Sequence, residues 1–330
     1  MKKKIVQLIT LFFCIFCAIG ETEKDYYSYE LEKIEGTAES FSQVWSYVLE
    51  GYENTFNDSF PITDLCYFSA DVNCYGKLES IPNPSKFSSL DCRKHLVITC
   101  SSYSLTHFIL KKSRERKELL EEIKKASLLY DGVQIDFETI PKNDREQFHS
   151  FLKDVRTKIG KNKIFSVCVP ARMKTLQNDI FDYETISSLA DYIFIMAYDQ
   201  HWSTSISGPV AGLDWCKKIS SYAVNVIPQE KLVMGLPFYG RSWQDNSYGK
   251  AWLNSGINRI VRENKAKVKR EDTIGCFEFE AKVKVKGYFD DAYSLIEKMR
   301  SYKNDNIDKI GFWRIGQEDP GIWEWIEIKK

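Results

Sequence analysis

Residues 130–139 read YDGVQIDFET, and the reading of this stretch decides the fold. In a strand successive side chains point to opposite faces, so Val133, Ile135 and Phe137 share one side while Gln134, Asp136 and Glu138 share the other. An apolar side packed against helices and a polar side looking inward is the pattern of a strand in a closed barrel with an outer helical layer. Carboxylates inside a barrel cost several kcal/mol, roughly, unless paired, so a chain that keeps Asp136 and Glu138 there is expected to use them. Internal ion pairs to Arg172 or Arg241 are the structural alternative.

Working outward, apolar strand-like runs recur at 44–48, 64–70, 95–101, 164–170, 192–199, 231–240 and 309–316, which with 131–138 makes eight. Helical patterns lie between most of them, at 115–129, 143–160, 183–190, 212–224 and 290–302. In 143–160 the residues Phe148, Phe151, Leu152, Val155 and Ile159 follow the 3.6-residue period, Asn143 with Glu146 offers a capping pair, and Gly160 marks the end. Alternation of this kind predicts a parallel sheet and, with eight units, a (β/α)8 TIM barrel whose active site lies at the C-terminal strand ends. A doubly wound open sheet would alternate in the same way, but no glycine-rich phosphate loop follows the first strand. Residues 242–287 are too long for one crossover. They contain SYGKAW, a basic helix-like run at 258–269 and the alternating CFEFEAKVKVKGYF, which together predict a small α+β insertion between strands 7 and 8.

The chain has 330 residues, 46 basic and 46 acidic, so charge gives no reason to expect a nucleic acid or anionic membrane partner. Its 8 Trp and 18 Tyr supply many flat apolar faces, most of them expected in the core. Residues 1–20, MKKKIVQLITLFFCIFCAIG, combine a lysine cluster, a short apolar run and small terminal residues, as a signal peptide does. Export is therefore expected, to the periplasm, cell envelope or medium, with an uncleaved anchor as the alternative. Lipid modification of Cys17 is disfavoured because Phe16 precedes it. A flexible charged segment at 21–40 would lead into the barrel at 41–330. Seven cysteines follow the signal segment, an odd number; Cys66, Cys100 and Cys168 read as small buried hydrophobes. No pair has metal-ligand spacing and the four histidines are scattered, so neither a metal nor another cofactor is expected.

The Asp-Gly strand ending in Asp-x-Glu, the Met196-Ala197-Tyr198-Asp199 end of the sixth strand and Trp313 on the eighth together resemble glycoside hydrolase family 18, the chitinase-like hydrolases. Residues 197–215 and 231–243 are similar to its bacterial cell-wall and spore-cortex N-acetylglucosaminidase branch. The resemblance implies a retaining glycosidase in which Glu138 is the general acid, Asp136 and Tyr198 handle the substrate's acetamido group, and Met196, Asp199 and Trp313 contact the sugar. Gln134 stands where chitinases of the family usually have a third Asp; it is expected to bond Asp136 and to favour a cell-wall substrate. Tyr239 and Arg241 share a face at the end of strand 7, as substrate contacts or as a strut for the insertion. The expected partner is a polysaccharide containing N-acetylglucosamine, with peptidoglycan above chitin, and the expected state is a monomer. A non-catalytic glycan-binding lectin is the alternative from another class, and relatives of that kind typically lose the terminal Glu that Glu138 supplies.

Overall fold

The computed structural model describes residues 28–245 and 247–329, so the expected signal segment lies outside the described residues. Eight parallel strands form the barrel wall: β1 (Gln43–Leu49), β2 (Asp64–Val72), β3 (Arg93–Thr99), β4 (Gly132–Asp136), β5 (Ile164–Pro170), β6 (Tyr192–Met196), β7 (Leu232–Pro237) and, beyond the insertion, the strand Lys309–Trp313. Each pairs with its neighbours in chain order, and the ring closes where the last strand pairs with β1 and β1 with β2. The outer helices are α1 (Tyr103–Leu110), α2 (Arg114–Ser127), α3 (Arg145–Ile159), α4 (Tyr183–Leu189) and α5 (Leu213–Val226).

The opening stretch behaves as its alternation requires. Val133, Ile135 and Phe137 are buried in the layer between strands and helices, and Phe137 stacks on Phe151 of α3 with centroids 5.4 Å apart. A second apolar cluster fills the lumen with Trp45, Tyr47, Cys66, Val97, Cys168, Phe194 and Val233. Phe194 spans the lumen because two positions lack a side chain: a Cβ at Gly311 would sit 2.2 Å from its ring, and one at Gly235 2.9 Å. Beneath this layer the buried Asp64 carboxylate accepts from Arg93 at 2.6 Å and contacts His95 Nε2 at 2.7 Å. The barrel floor is thus apolar and neutralised, and the unneutralised carboxylates stand at the other end.

Five strands and one helix make the insertion: β8 (Gly240–Gln244), β9 (Lys250–Trp252), α6 (Asn254–Glu263), β10 (Lys267–Glu271), β11 (Ile274–Glu280) and β12 (Lys284–Phe289), in the sheet order β9-β8-β12-β11-β10. The helix α7 (Ala292–Asn304) returns the chain to the last barrel strand, β13 (Lys309–Trp313). The run at 258–269, expected to be helical, divides between α6 and β10. Asp272 and Thr273 both adopt positive φ, 51° and 67°, which is the two-residue turn a β-hairpin needs, and it turns Lys267–Glu271 back along β11. Strand 7 also ends early: Pro237 closes it, and Gly240 begins the insertion sheet.

One smaller expectation is corrected. Asp144, not Asn143, occupies the N-cap of α3, and its carboxylate meets His107 Nδ1 at 2.7 Å instead of capping the helix. The segment ahead of the barrel, where described, contacts the insertion and α7: Ser28 Oγ donates to the Asn258 carbonyl, Glu32 pairs with Arg270 at 2.8 Å, and Arg300 donates to the Glu35 carbonyl. Glu39–Phe41 then pairs in parallel with Ile326–Ile328.

Candidate active site

At the C-terminal mouth a pocket of about 250 Å³ gathers residues from six barrel strands, the insertion and the last loop. Asp136 ends β4 and is buried, whereas Glu138, two residues on, stands past the strand end and is open to solvent at the mouth. Tyr198 and Asp199 follow β6, and Asp199 takes a positive φ of 56° as the chain turns away from the barrel. Met196, Tyr239, Arg241 and Trp313 also line the pocket. Trp313 is held edge-on by Phe68 at 4.8 Å and at a tilt by Tyr47 at 5.2 Å between ring centroids, which fixes one face as a flat wall.

The ion-pair alternative does not hold here. Arg172 forks onto Asp179, and Arg241 donates to Asp199 from Nε at 3.1 Å and Nη2 at 2.9 Å. Asp199 also accepts the Tyr239 hydroxyl at 2.6 Å, so Tyr239, Arg241 and Asp199 form one braced unit that ties the insertion to β6. Neither arginine reaches Asp136 or Glu138, and Oδ1 of Asp136 is buried without a hydrogen-bond partner among the described residues.

Gln134 differs from its expected place. It lies below the pocket, fully buried, where it accepts the Tyr47 hydroxyl at 2.6 Å and donates to Ser166 Oγ at 3.1 Å. Ser166 is its register partner on β5, and partners on adjacent strands are about 4.8 Å apart, nearer than residues i and i+2 along one strand. The amide is therefore used sideways and does not bond Asp136 or face substrate. Tyr47 in turn is 3.4 Å from the Cys168 thiol, which lines the pocket beside Asp136. Sequence reasoning passed over Tyr47, Phe68 and Cys168, although inner-face alternation of their strands carries all three. Ala251 and Gln317 reach the pocket from the insertion and the final loop, where no periodic signal exists. Trp243 is buried, while Trp202 is half exposed; neither lines the pocket. All seven described cysteines are free thiols.

The electrostatics follow from burial and like charge. The Asp136 carboxyl is pushed up to about 7, first by burial and then by the charge of Glu138. Glu138 is raised too, first because protein crowds its carboxyl and then by Asp199. The two carboxyls thus hold a proton near neutral pH, with Asp136 raised by Glu138, and with Asp199 as the charge that acts on Glu138. Burial also keeps the Tyr198 hydroxyl protonated far above its ordinary range, so it is a donor at any working pH.

A stability consequence has a definite sign. Folded Asp136 keeps a proton that the unfolded chain releases near pH 4, so stability falls as pH rises from about 4 to about 7 and stays reduced above that. Asp136→Asn, which cannot ionise, is expected to exceed the wild type in stability at pH 8 by on the order of a few kcal/mol and to match it near pH 4. Denaturant unfolding at both values checks this; one constant difference at both would contradict it.

Comparison with known proteins agrees with the geometry. The sequence profile described as glycosyl hydrolases family 18 matches residues 83–318. A cortical fragment-lytic enzyme of Bacillus anthracis is 24% identical over 289 residues, covering 80% of this chain and 67% of that protein. The uncharacterized glycosylase YvbX of Bacillus subtilis is 28% identical over 226 residues, covering 65% of each. The chain thus spans about two thirds of the length of these relatives. Among solved structures, the Bacillus cereus spore cortex-lytic enzyme SleL superposes with a TM-score of 0.79 at 23% identity, covering 90% of this chain and 77% of that one. A family 18 chitinase from Cycas revoluta superposes with a TM-score of 0.71 at 18% identity, covering 86% and 97%. The eight-stranded parallel barrel, the carboxyl pair at its mouth and the profile match together place this chain in glycosyl hydrolase family 18, as a glycoside hydrolase related to the spore cortex-lytic enzymes and chitinases.

Proposed function

We propose that the protein is an exported, retaining glycosidase that hydrolyses β-linked N-acetylglucosamine polymers, peptidoglycan in preference to chitin, with the substrate's own acetamido group as nucleophile. The observation that carries this reading is the pocket itself: one carboxyl open at the mouth, one buried beneath it with an oxygen that has no hydrogen-bond partner, and a protonated tyrosine facing both. Glu138 protonates the leaving oxygen while the acetamido carbonyl oxygen attacks C1, the scheme by which these enzymes depart from the two-carboxylate pattern. Asp136 accepts the acetamido N–H through its free oxygen and balances the oxazolinium charge. Tyr198 donates to the acetamido oxygen, Asp199 with Tyr239 and Arg241 forms the wall toward the insertion, Met196 fills the apolar side, and Trp313 is the floor under the ring. Water then opens the oxazolinium with Glu138 as base.

Peptidoglycan is placed above chitin because of the cortex-lytic relatives and because Gln134, an amide fixed by Tyr47 and Ser166, cannot relay a proton as a third aspartate would. Export rests on residues 1–20; among the described residues no helix is long and apolar enough to cross a membrane. Digestion of purified peptidoglycan and of colloidal chitin in parallel, with products read by mass, is the test. Muropeptides with a reducing N-acetylglucosamine end are expected from the first and slower release of chitooligosaccharides from the second. Turnover of chitin alone would overturn the substrate assignment, and turnover of neither would overturn the enzymatic reading.

A further inference from the structure

Among the described arginines, only Arg259, Arg262 and Arg314 have no carboxylate within ion-pair distance; the others are matched by acids such as Asp64, Asp154, Asp179, Asp191 and Asp199. Arg259 and Arg262 lie on the exposed side of α6, where water solvates them. Arg314 is different. It is half-buried at the mouth, one residue past Trp313, and its neighbour Gln317 lines the pocket. Its guanidinium lies 4.9 Å from the ring centroid of Tyr52, a half-exposed residue of the loop after β1, and Nη1 donates only to the Ile315 carbonyl at 3.4 Å.

A guanidinium that loses water without gaining an acid is costly, and burial pushes Arg314 below its ordinary range, with Tyr52 and Glu318 opposing that shift in part. The rest of the mouth is acidic, through Glu138 and Asp199, and Arg241 is already taken by Asp199. We propose that Arg314, stacked on Tyr52, receives a carboxylate of the glycan: the free lactyl carboxylate of a muramoyl residue adjoining the N-acetylglucosamine held over Trp313. The inference rests on the peptidoglycan reading above. Chitin carries no anion, whereas a muramoyl residue without its stem peptide carries one on O3. With Tyr52 against its face and Nη1 turned to the Ile315 carbonyl, the guanidinium keeps its Nε and Nη2 edge, which matches a carboxylate in two parallel hydrogen bonds. It follows that an amide hydrolysis freeing the lactyl group from its peptide precedes this enzyme's step.

The test compares kcat/KM of the wild type, Arg314→Gln and Arg314→Lys on four glycans of equal length: a peptide-free alternating N-acetylglucosamine–muramoyl oligomer, its methyl ester, the peptide-bearing form and a chitooligosaccharide. In the wild type the free acid should exceed the ester and the peptide-bearing form by about tenfold to hundredfold, the worth of a charge-assisted hydrogen bond. Arg314→Gln should erase that ratio, and Arg314→Lys should keep part of it, since it retains the charge and loses the fork. An equal acid-to-ester ratio in wild type and Arg314→Gln overturns the inference. Should Arg314→Gln not fold, the wild-type ratio decides: equal rates on acid and ester overturn it. A peptide-bearing glycan cleaved as fast as the free acid overturns the lactyl assignment. If the wild type cleaves only the chitooligosaccharide, the peptidoglycan reading itself fails, an outcome distinct from muramoyl cleavage that ignores esterification.

Discussion

Glu138→Gln is expected to lower hydrolysis of the natural glycan by on the order of 10²–10⁴-fold or more while leaving glycan binding in place. The amide keeps the shape and the hydrogen-bonding reach of the carboxyl and cannot give its proton to the leaving oxygen. No ion pair among the described residues holds Glu138, so the substitution breaks no structural bond, and thermal unfolding should be nearly unchanged. The leaving group separates loss of an acid from general damage. A nitrophenyl glycoside departs with little need of protonation, so its first step should lose far less than that of an oligosaccharide. Equal losses on both substrates would mean that Glu138 is not the acid, and unchanged turnover would remove it from the mechanism.

The barrel was legible because its signal is periodic. Eight apolar runs with helices between them admit few arrangements, and the alternation in 131–138 already assigned Phe137 to the helices and Asp136 to the lumen. What alternation cannot show is where a strand stops being a strand. Glu138, Tyr198 and Asp199 were counted as strand residues, yet each lies beyond the paired region, in the turns that build the mouth. Nor can a one-dimensional pattern rank neighbours across strands. Gln134 was expected to bond Asp136 along β4, and its amide instead joins Ser166 beside it and Tyr47 across the lumen. The hairpin turn at Asp272-Thr273 was missed for a related reason: a run rich in Lys and Arg suits an exposed helix face as well as an exposed strand, and neither residue of that turn is glycine. Arg314 gave no signal at all, since a missing ion-pair partner becomes visible only when every carboxylate has been placed.

Replacing the substrate's 2-acetamido group by hydroxyl or free amine should abolish turnover, a loss on the order of 10⁵-fold or more, because a well-oriented intramolecular nucleophile is worth that much over an external one. Among the described residues the protein offers no substitute. Asp136 is buried two residues before Glu138, below the mouth, and Asp199 is engaged by Tyr239 and Arg241, so among the described residues no free carboxylate is placed to attack C1 from the face opposite the acid. For the same reason a thiazoline analogue of N-acetylglucosamine, which copies the cyclic intermediate, should inhibit competitively and more tightly than substrate binds, since under the proposed mechanism the site is complementary to the intermediate. Two displacements at C1 restore its configuration, so NMR of early product should show the β-anomer first. Early α-product, or ready cleavage of a glucose polymer, would overturn the roles given to Asp136 and Tyr198 even with Glu138 essential. Asp136→Ala sharpens the point: without the carboxylate proposed to accept the acetamido N–H, thiazoline affinity should fall together with kcat, whereas a residue that only held the barrel together would lower thermal stability and leave inhibitor and substrate affinities in their original ratio.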